Sequence, residues 1–243
     1  MTTMLEVRHL GKRFGGLTAL EGVSFEVAAG SIVGIMGANG AGKTTLFSLI
    51  AGNAQPSEGE IRFEGRPLAG LRADQVCRLG VGRTFQIVKP FPAMTVRENL
   101  RTAAMFGHAQ CRDAASADAT TQPVMEEVGL APMADQPAST LTLSGQKRLE
   151  IARAVATGAR LVLLDEVMAG LTPTEVAQML DTVRALHAKR GLTLLVIEHV
   201  MRALMDLCER IVVLHHGQKI AEGTPAQIAD DAQVAAVYFG HAP

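Results

Sequence analysis

The sequence has few cysteines, and their spacing narrows the class of protein. Cys77, Cys111 and Cys208 are the only three, they are widely spaced, and none belongs to a Cys-x-x-Cys pair. This pattern argues against a disulfide framework and against a zinc site. We therefore expect reduced thiols with a structural role.

The sequence also has almost no net charge. Lys and Arg together number 23 and Asp and Glu 24, which gives a net charge of -1. A chain balanced in this way has no overall field that would attract it to nucleic acid or to an anionic membrane surface. We expect no nucleic-acid partner.

Long apolar runs are missing as well, although hydrophobic residues make up 48% of the chain. The purest runs, Leu161 to Leu164 and Leu192 to Ile197, are far shorter than the roughly 20 residues that span a bilayer. They are typical of buried strands. The segment Met1 to Glu6 lacks a basic region followed by an apolar core, which predicts no secretory signal and a cytoplasmic location.

At 243 residues the chain is long enough for one compact domain with a smaller inserted subdomain. Alternating and apolar runs predict strands at Leu5 to Leu10, Val23 to Val27, Ser31 to Met36, Ile61 to Phe63, Leu161 to Leu164, Leu192 to Ile197 and Ile211 to Leu214. Helices are expected from about Lys43 and near Thr174 to Lys189 and Val200 to Cys208. Alternating strands and helices favour a parallel sheet.

The middle of the chain has a different pattern. Thr95 to Phe106 and Val124 to Val128 are predicted to be helical. The polar, Ala-rich stretch Gly107 to Gln122 between them is predicted to be a mobile loop within a helical insertion.

A glycine-rich segment follows the strand Ser31 to Met36. Its residues are Gly37, Ala38, Asn39, Gly40, Ala41, Gly42, Lys43, Thr44 and Thr45. Glycines let consecutive backbone N–H groups point at phosphate oxygens, and the helix that follows adds its positive end. Lys43 is placed for the β- and γ-phosphates and the Thr44 hydroxyl for Mg²⁺. The segment therefore predicts an ATP-binding loop; a glycine-rich turn without a ligand is the alternative.

Two carboxylates end the apolar strand Leu161 to Leu164. Asp165 is suited to Mg²⁺, and Glu166 to orienting or deprotonating a water molecule. A solvated acidic strand end is the alternative. The Asn-Lys-x-Asp guanine reader of GTPases does not occur in the sequence, which favours ATP.

The segment Leu141 to Arg153 resembles the signature motif and helix of ATP-binding cassette (ABC) proteins. Two registers are possible. Counting back from Arg148 to Arg153 places the motif on Leu141 to Gly145, with Thr142 as its hydroxyl residue and Ser144 in place of the second glycine. The other register begins at Leu143, and we favour the first because the helix is intact. The resemblance implies that this motif faces the ATP of a partner subunit.

Other residues match elements of the same family in the same order. The resemblance implies that Phe14 stacks on adenine, that Gln86 contacts Mg²⁺ and the attacking water, and that His199 hydrogen-bonds the γ-phosphate. Taken alone, each has a plainer interpretation: a core Phe, a surface Gln and a structural His. The chain departs from the family pattern at Val167, which replaces a proline, and at Thr172, which replaces an acidic or amide residue.

The implied fold is an α/β ABC-type phosphate-loop ATPase with a mostly parallel sheet core, an antiparallel β subdomain and a helical insertion. We assign residues 1–85 and 156–243 to the ATPase core with its β subdomain, and residues 86–155 to the helical subdomain ending in the signature helix. The residues implied to bind ATP are Phe14, Gly37, Asn39, Gly40, Ala41, Gly42, Lys43, Thr44, Thr45, Thr142, Ser144 and Gly145. Those implied to hold Mg²⁺ are Thr44, Gln86 and Asp165, and those implied to be catalytic are Glu166, His199 and Gln86.

Within this family the chain resembles most the ATPase subunits of branched-chain amino-acid importers. The resemblance is carried by residues 13–17, 82–86, 94–100 and 148–153 and by the tail Val234 to Gly240. It implies a homodimer, or a heterodimer with a paralogous ATPase, docked through residues 86–99 on membrane permease subunits that receive solute from a binding protein. The location implied is the inner face of the cell membrane. A soluble ABC ATPase acting on ribosomes or nucleic acid and a regulatory nucleotide switch are the alternatives.

Overall fold

The computed structural model describes residues 2–239, which fall into two compact units, one of Met1–Ala73 with Thr193–Pro243 and one of Asp74–Leu192. The strands are β1 (Thr3–Phe14), β2 (Leu17–Ala28), β3 (Ile32–Met36), β4 (Glu58–Phe63), β5 (Arg66–Pro67), β6 (Val81–Arg83), β7 (Leu161–Asp165), β8 (Thr193–Ile197), β9 (Arg210–His215) and β10 (Gln218–Gly223). The helices are α1 (Lys43–Ile50), α2 (Ala73–Leu79), α3 (Val96–Phe106), α4 (Ala114–Glu127), α5 (Leu143–Ala156), α6 (Pro173–Arg190), α7 (Met201–Leu207), α8 (Pro225–Ala229) and α9 (Ala232–Phe239).

The first unit contains an antiparallel sheet in the order β2–β1–β4–β5. Leu5 and Val7 in β1 and Val27 in β2 are buried. Apolar residues two positions apart lie on the same face of a strand, so one face of this sheet packs into the core. The hairpin β1–β2 is longer at both ends than the predicted runs Leu5 to Leu10 and Val23 to Val27, because polar residues extend the pairing outside the apolar stretches.

The first unit also contains parallel strands. β3 pairs in parallel with β8 and with β9, and β10 pairs antiparallel with β9. Every residue of β3 and β8 is buried. Both faces of these strands are covered, which explains their continuous apolar sequence. All three predicted strands, Ser31 to Met36, Leu192 to Ile197 and Ile211 to Leu214, are confirmed.

The second unit combines the parallel pair β6–β7 with the helices α3 to α6. Thr172 begins α6 with a capping box to Glu175, and Gly191 ends it in the left-handed conformation. The mixed α/β architecture predicted from the sequence is confirmed. The compact units do not follow the assigned subdomain ranges, which remain a prediction.

The predicted loop between residues 107 and 122 is wrong over most of its length. Helix α4 begins at Ala114, inside that stretch, and Asp113 caps it together with Ser116. Ala117 and Thr121 are buried on one face of the helix. Because these two buried residues are small or polar, this part of the sequence shows no apolar stripe with helical spacing, and the start of the helix was missed. Its end agrees with the helix predicted at Val124 to Val128.

Every helix within the described part of the chain is too short or too polar to cross a bilayer. All three cysteines are free thiols, as the sequence predicted, and Cys208 is buried.

Candidate functional site

The glycine-rich loop connects β3 to α1 in the first unit. Gly42 has a φ of 101°, which glycine adopts without the strain that a side chain would cause. At Gly37 a Cβ atom would lie 2.5 Å from the carbonyl oxygen of Leu214 in β9, so only glycine fits there. These two glycines make a tight backbone cradle in front of the first turn of α1, where unpaired N–H groups can receive an anion.

Lys43 is buried at the start of α1, and its ammonium lies against the cradle. Its Nζ donates hydrogen bonds to the carbonyl oxygens of Gly37, at 2.6 Å, and Ala38, at 3.0 Å. Asn39, Gly40 and Thr44 are exposed, while Thr45 is half-buried and Ala41 is buried. The loop thus presents a cation, a hydroxyl and backbone donors together, the set that phosphate groups require.

His199 is exposed two residues after β8. β8 runs parallel to β3, with Ile197 opposite Ile35. Because the carboxyl ends of parallel strands meet at one edge of a sheet, His199 and the glycine-rich loop lie at the same edge of the first unit. Phe14, at the end of β1, is half exposed, and the ammonium of Lys12 lies 4.8 Å from its ring centroid. An exposed ring with a cation beside it is available for stacking.

Asp165 ends β7 in the second unit and is 1% exposed. Its Oδ2 accepts a hydrogen bond from Nη2 of Arg83 at 2.9 Å, and its backbone N–H donates to Oγ1 of Thr84. Among the residues described, none hydrogen-bonds its other carboxylate oxygen, Oδ1. Burial raises the pKa of the Asp165 carboxyl, and the guanidinium of Arg83 opposes that shift. A buried carboxylate oxygen without a donor is a place where a cation would be favourable.

Glu166 follows Asp165 and is also buried. Its φ is 52°, in the left-handed region, where a side chain other than glycine costs about 1–3 kcal/mol. Its Oε2 accepts a hydrogen bond of 2.7 Å from Nε2 of Gln86. The structure therefore brings together two residues that the sequence singled out 80 positions apart. Strained backbone at a carboxylate is a frequent property of active sites.

The signature segment forms the start of α5. Thr142 is the N-cap residue, and its Oγ1 accepts a hydrogen bond of 3.2 Å from the N–H of Gly145. Thr142 is exposed, Ser144 is half-buried and Gly145 is buried. In the first register the motif's hydroxyl thus stands at the N-cap, whereas in the second the motif lies inside the first turn of the helix. A groove of about 600 Å³ separates this turn from Glu166, and Gln86, Leu143, Gln146 and Lys147 line it as well.

The sequence predicts no role for Arg83 or Glu150. Arg83 pairs with Asp165 as described above. Glu150 is buried, and its two carboxylate oxygens accept hydrogen bonds from the backbone N–H groups of Phe85, at 2.9 Å, and Lys89, at 2.8 Å. Both residues lie in segments that resemble the family. The partner of a single charged residue, however, cannot be predicted from the residues next to it in the sequence.

The class of the protein follows from these parts. One unit contains a strand, a phosphate loop and a helix, and the other contains a carboxylate pair at the end of a buried strand. These are the components of a phosphate-loop nucleoside triphosphatase.

Comparison with known proteins identifies the family. A model of the ABC transporter domain matches residues 20–169, and a model named branched-chain amino acid ATP-binding cassette transporter matches residues 218–243. The chain is 39% identical to the high-affinity branched-chain amino acid transport ATP-binding protein BraF of Pseudomonas aeruginosa, over 98% of each chain. It is 37% identical to LivG of Salmonella typhimurium, a protein described in the same words, again over 98% of each chain.

Among solved structures, the ADP conformation of MJ1267, an ATP-binding cassette of an ABC transporter, superposes with a TM-score of 0.89. That chain is 29% identical, and the alignment covers 99% of this chain and 100% of the other. This chain belongs to the ATP-binding cassette transporter family, and it is an ABC-type ATPase. The tail Val234 to Gly240 lies within the second matched segment, although Gly240 is outside the described residues.

Proposed function

We propose that the chain binds and hydrolyses ATP as the energising subunit of an importer for branched-chain amino acids or related small solutes. The contact between Gln86 and Glu166 carries the hydrolysis part of this proposal, because it places a carboxylate and an amide together at the end of β7. The full-length similarity to BraF and LivG supports the transport part. The match of the second family model to residues 218–243 supports the kind of solute.

Mg²⁺ fits the second unit. Asp165 offers a buried carboxylate oxygen that receives no hydrogen bond from any of residues 2–239, and such an oxygen is the kind of ligand that Mg²⁺ binds, directly or through water. The sequence also predicts the Gln86 side chain, in the same unit, and the Thr44 hydroxyl, in the first unit, as Mg²⁺ ligands. The ion would neutralise negative charge on the phosphate oxygens.

Each remaining residue has a proposed role that suits its position. Gly37, Asn39, Gly40, Ala41, Gly42 and Thr45 supply the phosphate cradle, and Phe14 stacks on adenine. The Lys43 ammonium binds the β- and γ-phosphates. Glu166 orients the attacking water and accepts its proton, which contributes about 10²–10⁴ in rate, while Gln86 and His199 hold the water and the γ-phosphate in place.

The signature residues Thr142, Ser144 and Gly145 act on the nucleotide of a second chain. This requires a pair of ATPase chains, either two copies of this one or this chain with a paralogue. Binding of ATP closes the pair and hydrolysis opens it. A single chain is therefore expected to be nearly inactive.

The loop between β6 and α3 is the proposed docking surface for membrane permease subunits. Its apolar side chains Phe85, Ile87 and Phe91 are exposed, Ile87 to 73%. Three exposed large apolar residues in one loop are typical of an interaction site. We propose that the chain lies on the cytoplasmic face of the membrane and meets the solute-binding protein only through the permeases. No nucleic acid is involved.

The proposal is tested with the chain co-expressed with its genomic permease subunits and reconstituted into vesicles. We expect ATP-dependent uptake of radiolabelled leucine, isoleucine or valine, and loss of phosphate release with Glu166→Gln. If the wild-type complex releases no more phosphate than the Glu166→Gln complex, the result supports the regulatory switch instead. Recovery of ribosomes rather than permeases with the tagged chain would overturn the transport role.

A further inference from the structure

Lys147, in the second turn of α5, is a buried cation that the proposed mechanism does not use. It is 3% exposed. Its Nζ donates one hydrogen bond to the backbone carbonyl oxygen of Glu166, at 2.9 Å, and another to that of Gln86, at 3.2 Å. An ammonium has three N–H donors on a flexible stem, so a single Lys can hold carbonyl groups from two different segments.

These two carbonyl groups belong to residues whose side chains already contact each other. The Gln86 amide donates to the Glu166 carboxylate, and the Lys147 ammonium joins the two backbones behind that contact. The backbone of Glu166 is in a conformation that a residue with a side chain adopts only when its surroundings hold it there. The charge-assisted hydrogen bond from the Lys147 ammonium to the Glu166 carbonyl stabilises this conformation.

We propose that Lys147 is a positioning residue that fixes Glu166 and Gln86 relative to each other and ties both to the signature helix. The inference rests on the proposed function, because it assumes that Glu166 and Gln86 act on the attacking water. Lys147 itself touches neither water nor nucleotide in this role. Its effect on rate is transmitted through the backbone of Glu166, and a misplacement of about 1 Å at a reacting group can lower a rate by about 10²-fold.

Lys147→Met tests this role because methionine keeps the apolar stem and removes all three donors. In the reconstituted complex we expect kcat to fall by about 10- to 100-fold, while the KM for ATP changes by less than about twofold, since the phosphate loop is untouched. Lys147→Arg retains donors and should recover part of kcat. Lys189→Met is the matched control: it makes the same substitution at an exposed lysine that pairs with Glu127 in the same unit, and its kcat should equal wild type.

Hydrogen exchange of the complete chain gives a readout that does not depend on turnover. Amides between residues 85 and 91 and at 166–168 should exchange faster in Lys147→Met than in wild type or in Lys189→Met. A kcat within about twofold of wild type, or unchanged exchange, overturns the proposal. An equal loss of kcat in the Arg variant together with a raised KM overturns it too, since that pattern indicates general damage.

Lys147→Gln, which keeps two shorter donors, replaces the Met variant if the latter does not fold, and the same criteria apply. Failure of the proposed function is recognised separately. In that case the wild-type complex shows no turnover that depends on Glu166, while the exchange measurement still decides whether Lys147 holds the two segments.

Discussion

Asp165 forms a buried ion pair with Arg83. Its side chain is 2% exposed and that of its partner Arg83 is 10% exposed. Burial alone would favour a neutral carboxyl, and the pKa of Asp165 is raised for that reason. The guanidinium of Arg83 opposes this shift and keeps one carboxylate oxygen engaged, while the other remains available for a cation.

Replacing Arg83 should destabilise the protein strongly. Arg83→Met leaves the Asp165 carboxylate buried without its charge partner, and we expect the free energy of unfolding to fall by about 3–5 kcal/mol in urea titrations at pH 7. Arg78→Met is the matched control, because the Arg78–Asp74 pair is solvent-exposed and its loss should change the free energy by less than about 1 kcal/mol. Equal losses in the two variants would contradict the assignment.

Cys208 should be chemically inert in the folded protein. Burial raises the pKa of its thiol from 9.0 to about 12, whereas Cys111 is only half-buried. At pH 8 iodoacetamide should modify Cys111 in the native protein and Cys208 only in denaturant, as measured by peptide mass spectrometry. Comparable labelling of both cysteines in native protein would contradict the prediction that Cys208 is inert.

The raised pKa of Cys208 also affects stability. Because the unfolded thiol ionises near pH 9 and the folded one near 12, this group lowers the free energy of unfolding as the pH rises through that interval.

Among the elements, the loop from Phe85 to Thr95 is held by buried side chains of the two helices that flank it in space. Glu150 of α5 accepts from two of its backbone N–H groups. Asn99 of α3 accepts from the N–H of Phe91, and its two amide N–H donors are shared among the carbonyl oxygens of Phe91, Met94 and Thr95. A loop anchored in this way can expose apolar side chains to a partner and still keep a defined backbone.

Glu150→Gln should loosen this loop at one end. The amide has one acceptor oxygen where the carboxylate had two, so one of the N–H groups of Phe85 and Lys89 loses its bond. We expect a loss of about 1–3 kcal/mol in the free energy of unfolding and faster hydrogen exchange between residues 85 and 89. Glu175→Gln is the control, since Glu175 is a half-buried capping residue of α6. Unchanged exchange in Glu150→Gln would show that the carboxylate does not hold the loop.

For the whole molecule, the residues proposed to act on ATP are divided between the two compact units. The phosphate loop, Phe14 and His199 belong to one, and Gln86, Asp165, Glu166 and the signature segment belong to the other. In the proposed pair of chains, each ATP site would also need residues from both chains, because the signature segment of one chain acts on the nucleotide bound by its partner.

Two inactive variants should therefore complement each other if the active pair is formed by copies of this chain. Lys43→Ala removes phosphate binding and Ser144→Asp blocks the signature segment with a negative charge. Each alone should lack turnover, but an equal mixture forms mixed pairs with one intact site and should recover up to about one quarter of wild-type activity. Mixed pairs that form, as detected by differential tags, but show no activity would contradict this arrangement.

Local patterns allowed much of the fold to be predicted. The strands β3, β8 and β9 and the helix α6 follow from apolar runs, glycine positions and caps that lie within a few residues of one another. The first part of α4 was missed because its buried residues there, Ala117 and Thr121, are small or polar, whereas its end was predicted from the apolar Val124 and Met125. Arg83, Lys147 and Glu150 were missed as contacts for a different reason: their partners lie 82, 19 and 65 residues away, and no local pattern encodes such a distance.

The sequence by itself determined that this protein has a phosphate loop and a carboxylate pair, because glycine spacing and a strand ending in acids are local properties of the chain. Only the tertiary structure decided which groups surround those carboxylates. The packing of α5 and β6 places Arg83 beside Asp165 and the Lys147 ammonium behind Glu166. Because these charges are buried, their electrostatic interactions are stronger than those of an exposed pair, which would contribute little.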